Sequence, residues 1–359
     1  MLLTQLETPV LVADADIIEQ NMRKMCGILE GKVLKLRPHY KSHKCAAIAH
    51  RQIEMGAVGI TCAKLSEAED LADSGVENIL IANQVVDPEK LVKLAALAKK
   101  CRLTVCVDDA ENAKALSAAA VCAGAAVHVY IEYDIGMKRC GVTDPEKYVE
   151  LAKLVVSLPG IEYDGIQAYA GNIAHEIPEE ERASVTAENA AKLKALIGLL
   201  EENGIKVNAV SGGSTGTSVI KAQQGVYTEL QAGSYFFMDS TYGKLGNLPF
   251  KNSLFLMATV CSKREGLTVL DAGVKSLGVE QDAPLVVKMD GTPVECEKIS
   301  VDEEHLKIWG PAEDLQRGEK VLIIPGHCCS TVNLHNKIYL FRDGKVVDRL
   351  AVSARGCSR

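Results

Sequence analysis

The feature that most constrains the fold is an alternation of short apolar runs with helical stretches through the first two thirds of the chain. The apolar runs are rich in β-branched residues, which favour strands. They predict eight strands: one ending at Lys41, then residues 58–62, 79–82, 103–107, 127–131, 164–168, 207–210 and 228–231. Eight strand-then-helix units predict a (β/α)8 barrel of the TIM type. A doubly wound open sheet is the alternative, but no Gly-x-Gly-x-x-Gly turn follows the first strand.

The pattern changes near residue 254. Strand-like runs follow one another without a long helical stretch, at residues 254–260, 267–271, 285–289, 320–324 and 338–342. Turn signals such as Asp290-Gly291 and Asp343-Gly344 separate some of them. We therefore expect an α/β barrel over residues 1–248 and an all-β domain over residues 249–359, with the first twelve or so residues able to pack on the second domain.

Composition narrows the functional classes. The chain is 47% hydrophobic and 24% charged, as soluble globular proteins are. A net charge of −7, with no strongly basic half, argues against a nucleic-acid partner. No apolar run approaches the roughly 18 residues of a membrane helix, and the start of the chain lacks the basic residues of a signal peptide. The 12 scattered cysteines predict buried thiols in a reducing cytoplasm rather than a disulfide framework.

The octet Arg37-Pro38-His39-Tyr40-Lys41-Ser42-His43-Lys44 follows the first predicted barrel strand. If the extended backbone continues, the four basic residues at odd positions from 37 to 43 share one face. Burying such a charged face in a core would cost too much free energy. The plainer alternative is a basic edge exposed to solvent. A lysine amine crowded by other cations finds its charged form disfavoured, which makes it a usable nucleophile. The pattern therefore predicts a reactive Lys41 at the strand end.

In such a barrel the active site lies at the carboxyl ends of the strands. Polar residues fall there: Lys41, Asp108, Asp109, residues 134–139, Tyr169, His175, residues 211–217 and residues 231–234. Taken singly, glycines also form turns and aspartates also cap helices. Chance alone would rarely place so many such residues on one rim of the barrel. Residues 211–217, Ser-Gly-Gly-Ser-Thr-Gly-Thr, suit a phosphate, because glycines let backbone N–H groups approach an anion. A rim lysine with a phosphate site predicts Schiff-base chemistry with pyridoxal phosphate or a sugar phosphate.

Long segments of the chain match one family. They are residues 37–44, 132–141, 167–169, 211–217, 227–235, 271–273 and 325–329. These segments resemble the fold-type III pyridoxal-phosphate enzymes, specifically the D-threonine aldolase and D-serine dehydratase family. The resemblance implies an alanine-racemase-like barrel, pyridoxal 5'-phosphate as cofactor and a divalent metal. It also implies a homodimer, because relatives bring the β domain of one subunit over the barrel of another.

The same resemblance assigns roles at the cofactor. It implies that Lys41 forms the Schiff base, that Arg139 contacts the phenolic oxygen and that Tyr169 stacks on the ring. The other implied cofactor-binding residues are Gln231 at the ring nitrogen and Ser214, Thr215, Gly233 and Ser234 at the phosphate. A neutral glutamine holds a proton on the ring nitrogen only weakly, so the cofactor ring withdraws electrons only moderately. Another group must therefore assist the departure of the leaving group.

That assistant is implied to be a metal ion held by His327 and Cys329. On a strand end, His327 and Cys329 share a face because they are two residues apart, while Cys328 points elsewhere. Taken as a sequence pattern alone, these cysteines are better interpreted as buried core thiols. Two protein ligands leave positions open for water and substrate. A thiolate favours zinc, with manganese or magnesium as alternatives. The family's aldolases carry aspartate here, so Cys329 favours the dehydratases.

We therefore expect a lyase acting on a D-β-hydroxy amino acid, favoured as a D-serine or D-3-hydroxyaspartate dehydratase that releases ammonia and a keto acid. Lys41 removes the α-proton, and His175 is the acid or base near the metal. The close alternative is a D-threonine-type aldolase that yields glycine and an aldehyde. An amino-acid racemase would need a second base and no metal, and a non-catalytic pyridoxal-phosphate carrier would need no β domain.

Overall fold

The computed structural model describes residues 1–175, 178–312 and 314–359. The chain divides into two compact units. The barrel unit contains residues 26–41, 48–233 and 357–359, and the β unit contains residues 1–25, 42–47 and 234–356. The predicted domain boundary at residue 248 stays a prediction.

The sheet of the barrel unit consists, in the described part of the chain, of eight parallel strands. They are β2 (Lys35–Leu36), β3 (Ile60–Cys62), β4 (Asn78–Gln84), β5 (Arg102–Val107), β6 (Val127–Glu132), β7 (Ile161–Ala168), β8 (Ala209–Gly212) and β9 (Glu229–Leu230). Neighbouring strands pair in the order β2-β9-β8-β7-β6-β5-β4-β3. A parallel bridge between His39 and Thr61 joins the two ends of this order. The predicted eight-stranded (β/α)8 barrel of the alanine-racemase-like class is confirmed.

Helices follow the strands, and aspartates start several of them. The helices are α1 (Ala15–Leu29), α2 (Ala46–Glu54), α3 (Leu65–Asp73), α4 (Pro88–Leu97), α5 (Ala110–Ala123), α6 (Pro145–Ser157), α7 (Glu179–Glu202), α8 (Ser218–Gln224), α9 (Ser240–Gly243) and α10 (Cys328–Asn333). The carboxylate of Asp109 accepts from the backbone N–H groups of Glu111 and Asn112 at the start of α5. Asp87 and Asp144 cap α4 and α6 in the same way. These caps satisfy backbone donors that have no partner within the helix.

The β unit is a second, mostly antiparallel sheet. Its strands are β1 (Val10–Asp14), β10 (Leu254–Arg264), β11 (Leu267–Leu270), β12 (Leu285–Lys288), β13 (Lys298–Val301), β14 (Leu306–Trp309), β15 (Lys320–Ile324), β16 (Lys337–Arg342) and β17 (Lys345–Ala351). β1, from the start of the chain, pairs with β10 and β16. Its core includes Leu256, Leu270, Leu306 and Ile323, all fully buried. The predicted separate C-terminal sheet is confirmed, although β13, β14 and β17 were not predicted as strands.

No helix in residues 1–175, 178–312 or 314–359 combines the length and apolar character that crossing a membrane requires.

Candidate active site

The carboxyl ends of the barrel strands surround a cavity of about 160 Å³. Its lining consists of His39, Lys41, Ala63, Ala82, Asn83, Arg139, Cys140, Gln167, Tyr169 and Gln231. The Lys41 Nζ lies 6.0 Å from the centroid of the Tyr169 ring. The Arg139 Cζ lies 5.5 Å from the same centroid. Four residues predicted for cofactor binding therefore meet at one cavity.

The topology explains this convergence. Lys41 lies in a short 3-10 turn, Tyr40–Ser42, after β2. Tyr169 follows β7 directly, and Gln231 follows β9 directly. Arg139 lies in the loop after β6. Because parallel strands end at the same rim, residues far apart in sequence come together there.

One expectation about the octet is wrong. Arg37 does not share a face with Lys41: its guanidinium pairs with Glu229 at 2.8 Å and donates to Asn78 Oδ1 at 3.1 Å, beside a different cavity. His43 lies against Phe236 within the β unit, with ring centroids 5.9 Å apart. The reason is that the extended backbone gives way to the 3-10 turn at Tyr40–Ser42, so strict alternation does not continue.

Gln231 is fixed by two neighbours in the cavity wall. Its Nε2 donates to Gln167 Oε1 at 2.6 Å and to Ser211 Oγ at 2.9 Å. The side chain is 5% exposed. These hydrogen bonds fix a neutral amide in the wall of the cavity.

Arg139 is held by a carboxylate that the sequence analysis did not single out. Glu132 Oε1 lies 3.8 Å from the Arg139 Nη2, and Glu132 Oε2 accepts from Gln84 Nε2 at 2.6 Å. Burial raises the pKa of Glu132, while the Gln84 hydrogen bond and the Arg139 charge oppose that rise. One signal in the sequence could have indicated Glu132, since it is an acid at the end of an apolar strand.

The glycine-rich segment at the end of β8 leaves no room for a side chain at Gly212. A Cβ on Gly212 would lie 2.0 Å from the Ala168 carbonyl oxygen, and Gly213 has a φ of +81°. The Ser214 N–H donates to Thr217 Oγ1 at 3.0 Å, which folds the loop back on itself. Ser214 and Thr215 are both buried. A loop with bare backbone and hydroxyl groups fits a phosphate, and the cavity with Lys41, Tyr169 and Arg139 fits the rest of pyridoxal phosphate.

The remaining predicted residues have these positions. His175 is half-buried and lies just after the 3-10 turn Gly171–Ile173, which follows β7. Gly233 is half-buried in the barrel unit, and Ser234 begins the next 3-10 turn, in the β unit. The Ser234 hydroxyl hydrogen-bonds to Cys328. The roles given to these three residues stay predictions.

The candidate metal ligands form a cluster in the β unit. The ligand atoms of His327, Cys328 and Cys329 all lie within 4.8 Å of one another. The expectation that Cys328 points away is wrong. His327 is the residue before α10, and Cys328 and Cys329 form its first turn. A helical turn does not alternate as a strand does, so all three side chains stay close.

Asp239 is the residue of this cluster that sequence reasoning missed. Its Oδ2 lies 2.9 Å from His327 Nδ1 and accepts from the Cys328 N–H at 3.0 Å. Its Oδ1 accepts from the Tyr242 N–H, so the fully buried carboxylate also caps α9. A carboxylate on one ring nitrogen orients the other nitrogen for a metal. In the sequence, Asp239 looks like a helix cap only.

Cys329 is the neighbour that His327 and Cys328 share. Burial lowers the pKa of His327, but Cys329 and Asp239 outweigh it and raise that pKa to about 11. A hydrogen bond to Cys329, with burial, raises the pKa of Cys328 well above its usual value. Cys329 therefore receives hydrogen bonds from both neighbours. An imidazole nitrogen beside a cysteine sulfur is a donor set of the kind that binds zinc.

Comparisons with known proteins agree with this architecture. The family described as alanine racemase, N-terminal domain, matches residues 13–241, and a putative serine dehydratase domain matches residues 253–341. The chain is 41% identical to a D-threonine aldolase of Arthrobacter sp, over 99% of this chain and 95% of that one. It is 28% identical to a D-threo-3-hydroxyaspartate dehydratase of Delftia sp. (strain HT23), over 92% of each chain.

The solved structures give the same result. The D-threonine aldolase of Filomicrobium marinum has a TM-score of 0.93 and 37% identity, covering 99% of this chain and 97% of that one. Fold and pocket thus define an alanine-racemase-like, fold-type III pyridoxal-phosphate enzyme. Within that class, the chain belongs to the D-threonine aldolase and D-serine dehydratase family, whose close members are lyases.

Proposed function

We propose that this protein is a pyridoxal-phosphate- and zinc-dependent lyase that releases ammonia and a keto acid from a D-β-hydroxy amino acid such as D-serine or D-3-hydroxyaspartate. The observation that carries the proposal is the His327–Cys329 pair, whose donor atoms lie within 4.8 Å of each other. The family resemblance implies aspartate in the aldolases where this chain has Cys329. The soft thiolate is what favours dehydration.

The cofactor would be held by the residues of the barrel cavity. Lys41 would bind it through Nζ, Tyr169 would stack on its ring, Arg139 would contact the phenolic oxygen and Gln231 would face the ring nitrogen. The phosphate would lie against Ser214, Thr215, Gly233 and Ser234. When bound, pyridoxal phosphate supplies an electron-withdrawing ring that stabilises negative charge at the substrate Cα.

Protein side chains would then move the protons. Lys41 Nζ would be the base that takes the α-proton of the substrate. Gln231 is neutral and donates hydrogen bonds to Gln167 and Ser211, so it would stabilise charge on the cofactor ring only moderately. The poor leaving group therefore needs further help, and His327 and Cys329 would hold a zinc ion, whose chemistry at this site would be that of a Lewis acid.

A second candidate is the aldolase reaction, which gives glycine and an aldehyde. The observation in its favour is the 41% identity to the Arthrobacter D-threonine aldolase over nearly the whole chain. In this reaction His175 would take the proton of the β-hydroxyl. Manganese or magnesium would then be the better activator.

We further infer a cytoplasmic homodimer. The 12 cysteines are all free thiols, as in a reducing compartment. The dimer rests on the family resemblance, and light scattering coupled to size-exclusion chromatography measures it directly. A monomeric mass at micromolar concentration would contradict it.

The test of the reaction is product analysis. Purified protein is incubated with D-serine, D-threonine and D-3-hydroxyaspartate, before and after chelation and with zinc, manganese or magnesium restored. We expect ammonia and a keto acid, abolished by chelation and best restored by zinc. Glycine and an aldehyde as main products would establish the aldolase instead, and turnover unaffected by chelation would contradict both assignments of the metal.

A further inference from the structure

A buried lysine behind the glycine-rich loop has no role in the chemistry described above. Lys221 lies in α8 and is 2% exposed. Its Nζ has no hydrogen-bond partner among the described residues. The Nζ lies instead 3.5 Å from the centroid of the Tyr227 ring. Buried amines without an acceptor are rare, because removing a charge from water is costly.

The surroundings of Lys221 offer a cation little compensation. The Tyr227 hydroxyl is directed away, because it donates to the Ala168 carbonyl at 3.2 Å. The face of the Tyr227 ring is therefore what the amine contacts, and a cation above a ring face is only modestly stabilised. Burial lowers the pKa of Lys221 to about 7, and Tyr227 is the titratable neighbour that packs on it. The Lys221 amine is therefore able to take up a proton when an anion binds nearby.

The lysine stem lies directly against the loop. A Cβ on Gly213 would be 2.8 Å from Lys221 Cδ and 3.2 Å from Lys221 Cε. Gly213 precedes Ser214 and Thr215, the residues expected to bind phosphate. The amine is one bond beyond Cε, so it lies within a few ångströms of the loop backbone.

We propose that Lys221 supplies the positive charge of the phosphate-binding loop, acting from behind Gly213 rather than from within the cofactor cavity. This inference rests on the proposed function, because the anion it serves is a phosphate monoester. A dianion on the loop offsets the cost of burying the ammonium, and the ammonium in turn strengthens phosphate binding. Lysine serves here as a compact point charge.

Lys221→Met tests the idea, because it keeps the length of the stem and removes the charge. We measure the dissociation constants of the apoprotein for pyridoxal phosphate and for pyridoxal, which lacks the phosphate, by absorbance titration. Inorganic phosphate serves as a competitor. We expect the affinity for pyridoxal phosphate to fall about 10- to 100-fold, as for the loss of a charged hydrogen bond. The affinity for pyridoxal should stay within about twofold of the wild-type value, well below the tenfold change that corresponds to 1.4 kcal/mol.

Two controls complete the experiment. Lys192→Met removes an exposed lysine of α7 and should change neither constant. Lys221→Gln is a second neutral variant, and the ratio of the two dissociation constants cancels any general loss of packing. The melting temperature of the Lys221→Met apoprotein should not fall, because replacing an unpaired buried amine by an apolar group relieves its burial cost.

The outcomes separate the two proposals. Equal affinities of wild type and both neutral variants for pyridoxal phosphate would overturn the role of Lys221 and leave the proposed function intact. Equal loss of affinity for both ligands would also overturn it, because the lysine would then only shape the pocket. A wild type that binds pyridoxal phosphate no better than pyridoxal would contradict the phosphate loop itself, and with it the proposed function.

Discussion

The cofactor cavity draws its residues from several strand ends of the barrel unit, whereas the candidate metal ligands of the cluster in the β unit are three consecutive residues, with Asp239 beside them. In the cavity, Lys41 and Gln231 are 190 positions apart and meet because parallel strands share a rim. In the cluster, geometry depends on a single turn of backbone. Long-range topology was therefore easier to predict here than one local conformation.

The largest expected effect is at the cavity. Lys41→Ala should lower turnover on the order of 10²–10⁴-fold or more, because it removes the group that we propose binds the cofactor and takes the proton. Borohydride reduction followed by peptide mapping checks the assignment, with exposed Lys138→Ala as a matched control. Reduced cofactor attached to Lys44 or Lys138 would show that Lys41 is the wrong lysine.

At the metal cluster, Cys329→Ala should cost most of the activity and most of the bound zinc. The loss should exceed the roughly 10- to 100-fold in metal affinity typical of losing an outer hydrogen bond. Cys328→Ala also touches this site, because Cys328 hydrogen-bonds to Cys329. We expect at most about a tenfold loss there, the value of one ordinary hydrogen bond. Zinc content after dialysis measures both, and equal losses would make Cys328 a ligand as well.

Asp239→Asn tests the support of the cluster. The amide keeps the shape of the side chain but lowers its ability to orient His327, so zinc affinity should fall about 10- to 100-fold. A competition titration with a chromogenic chelator measures this affinity. Affinity equal to wild type would mean that Asp239 serves only as the cap of α9.

The smallest expected effect concerns the ring of Tyr169. Stacking contributes about 0.5–1.5 kcal/mol beyond buried area, so Tyr169→Ala should weaken cofactor retention several-fold and Tyr169→Phe should be mild. Cofactor released on dilution, followed by absorbance, provides the measurement. Large and equal losses in both variants would indicate that the hydroxyl matters rather than the ring.

Apolar runs such as Ile79-Leu80-Ile81 are buried on both faces of the sheet. Their assignment as strands is therefore unambiguous, and the barrel could be predicted from the sequence. It failed for β13 and β17, whose residues are half-buried or exposed and carry charges. It also failed where the backbone type changes within a few residues. The 3-10 turn at Lys41 and the helix that starts after His327 both break the alternation that the predictions assumed.

Residues that support other residues were the least predictable. Glu132, Asp239 and Lys221 act through a neighbour that the fold brings to them, and each has an ordinary explanation when read alone. Taken alone, Glu132 is an acid at the end of a strand, Asp239 caps a helix and Lys221 lies in a short helix. Only the contacts at Arg139, His327 and Gly213 distinguish them.

The central claim is that the donor pair at the metal, more than the barrel, sets the reaction. The direct measurement is the product ratio of Cys329→Asp, which replaces a soft donor by a hard one at the same position. We predict that the variant is activated best by manganese and that glycine and aldehyde rise relative to ammonia and keto acid. A variant that retains activity with the wild-type product ratio would contradict the claim.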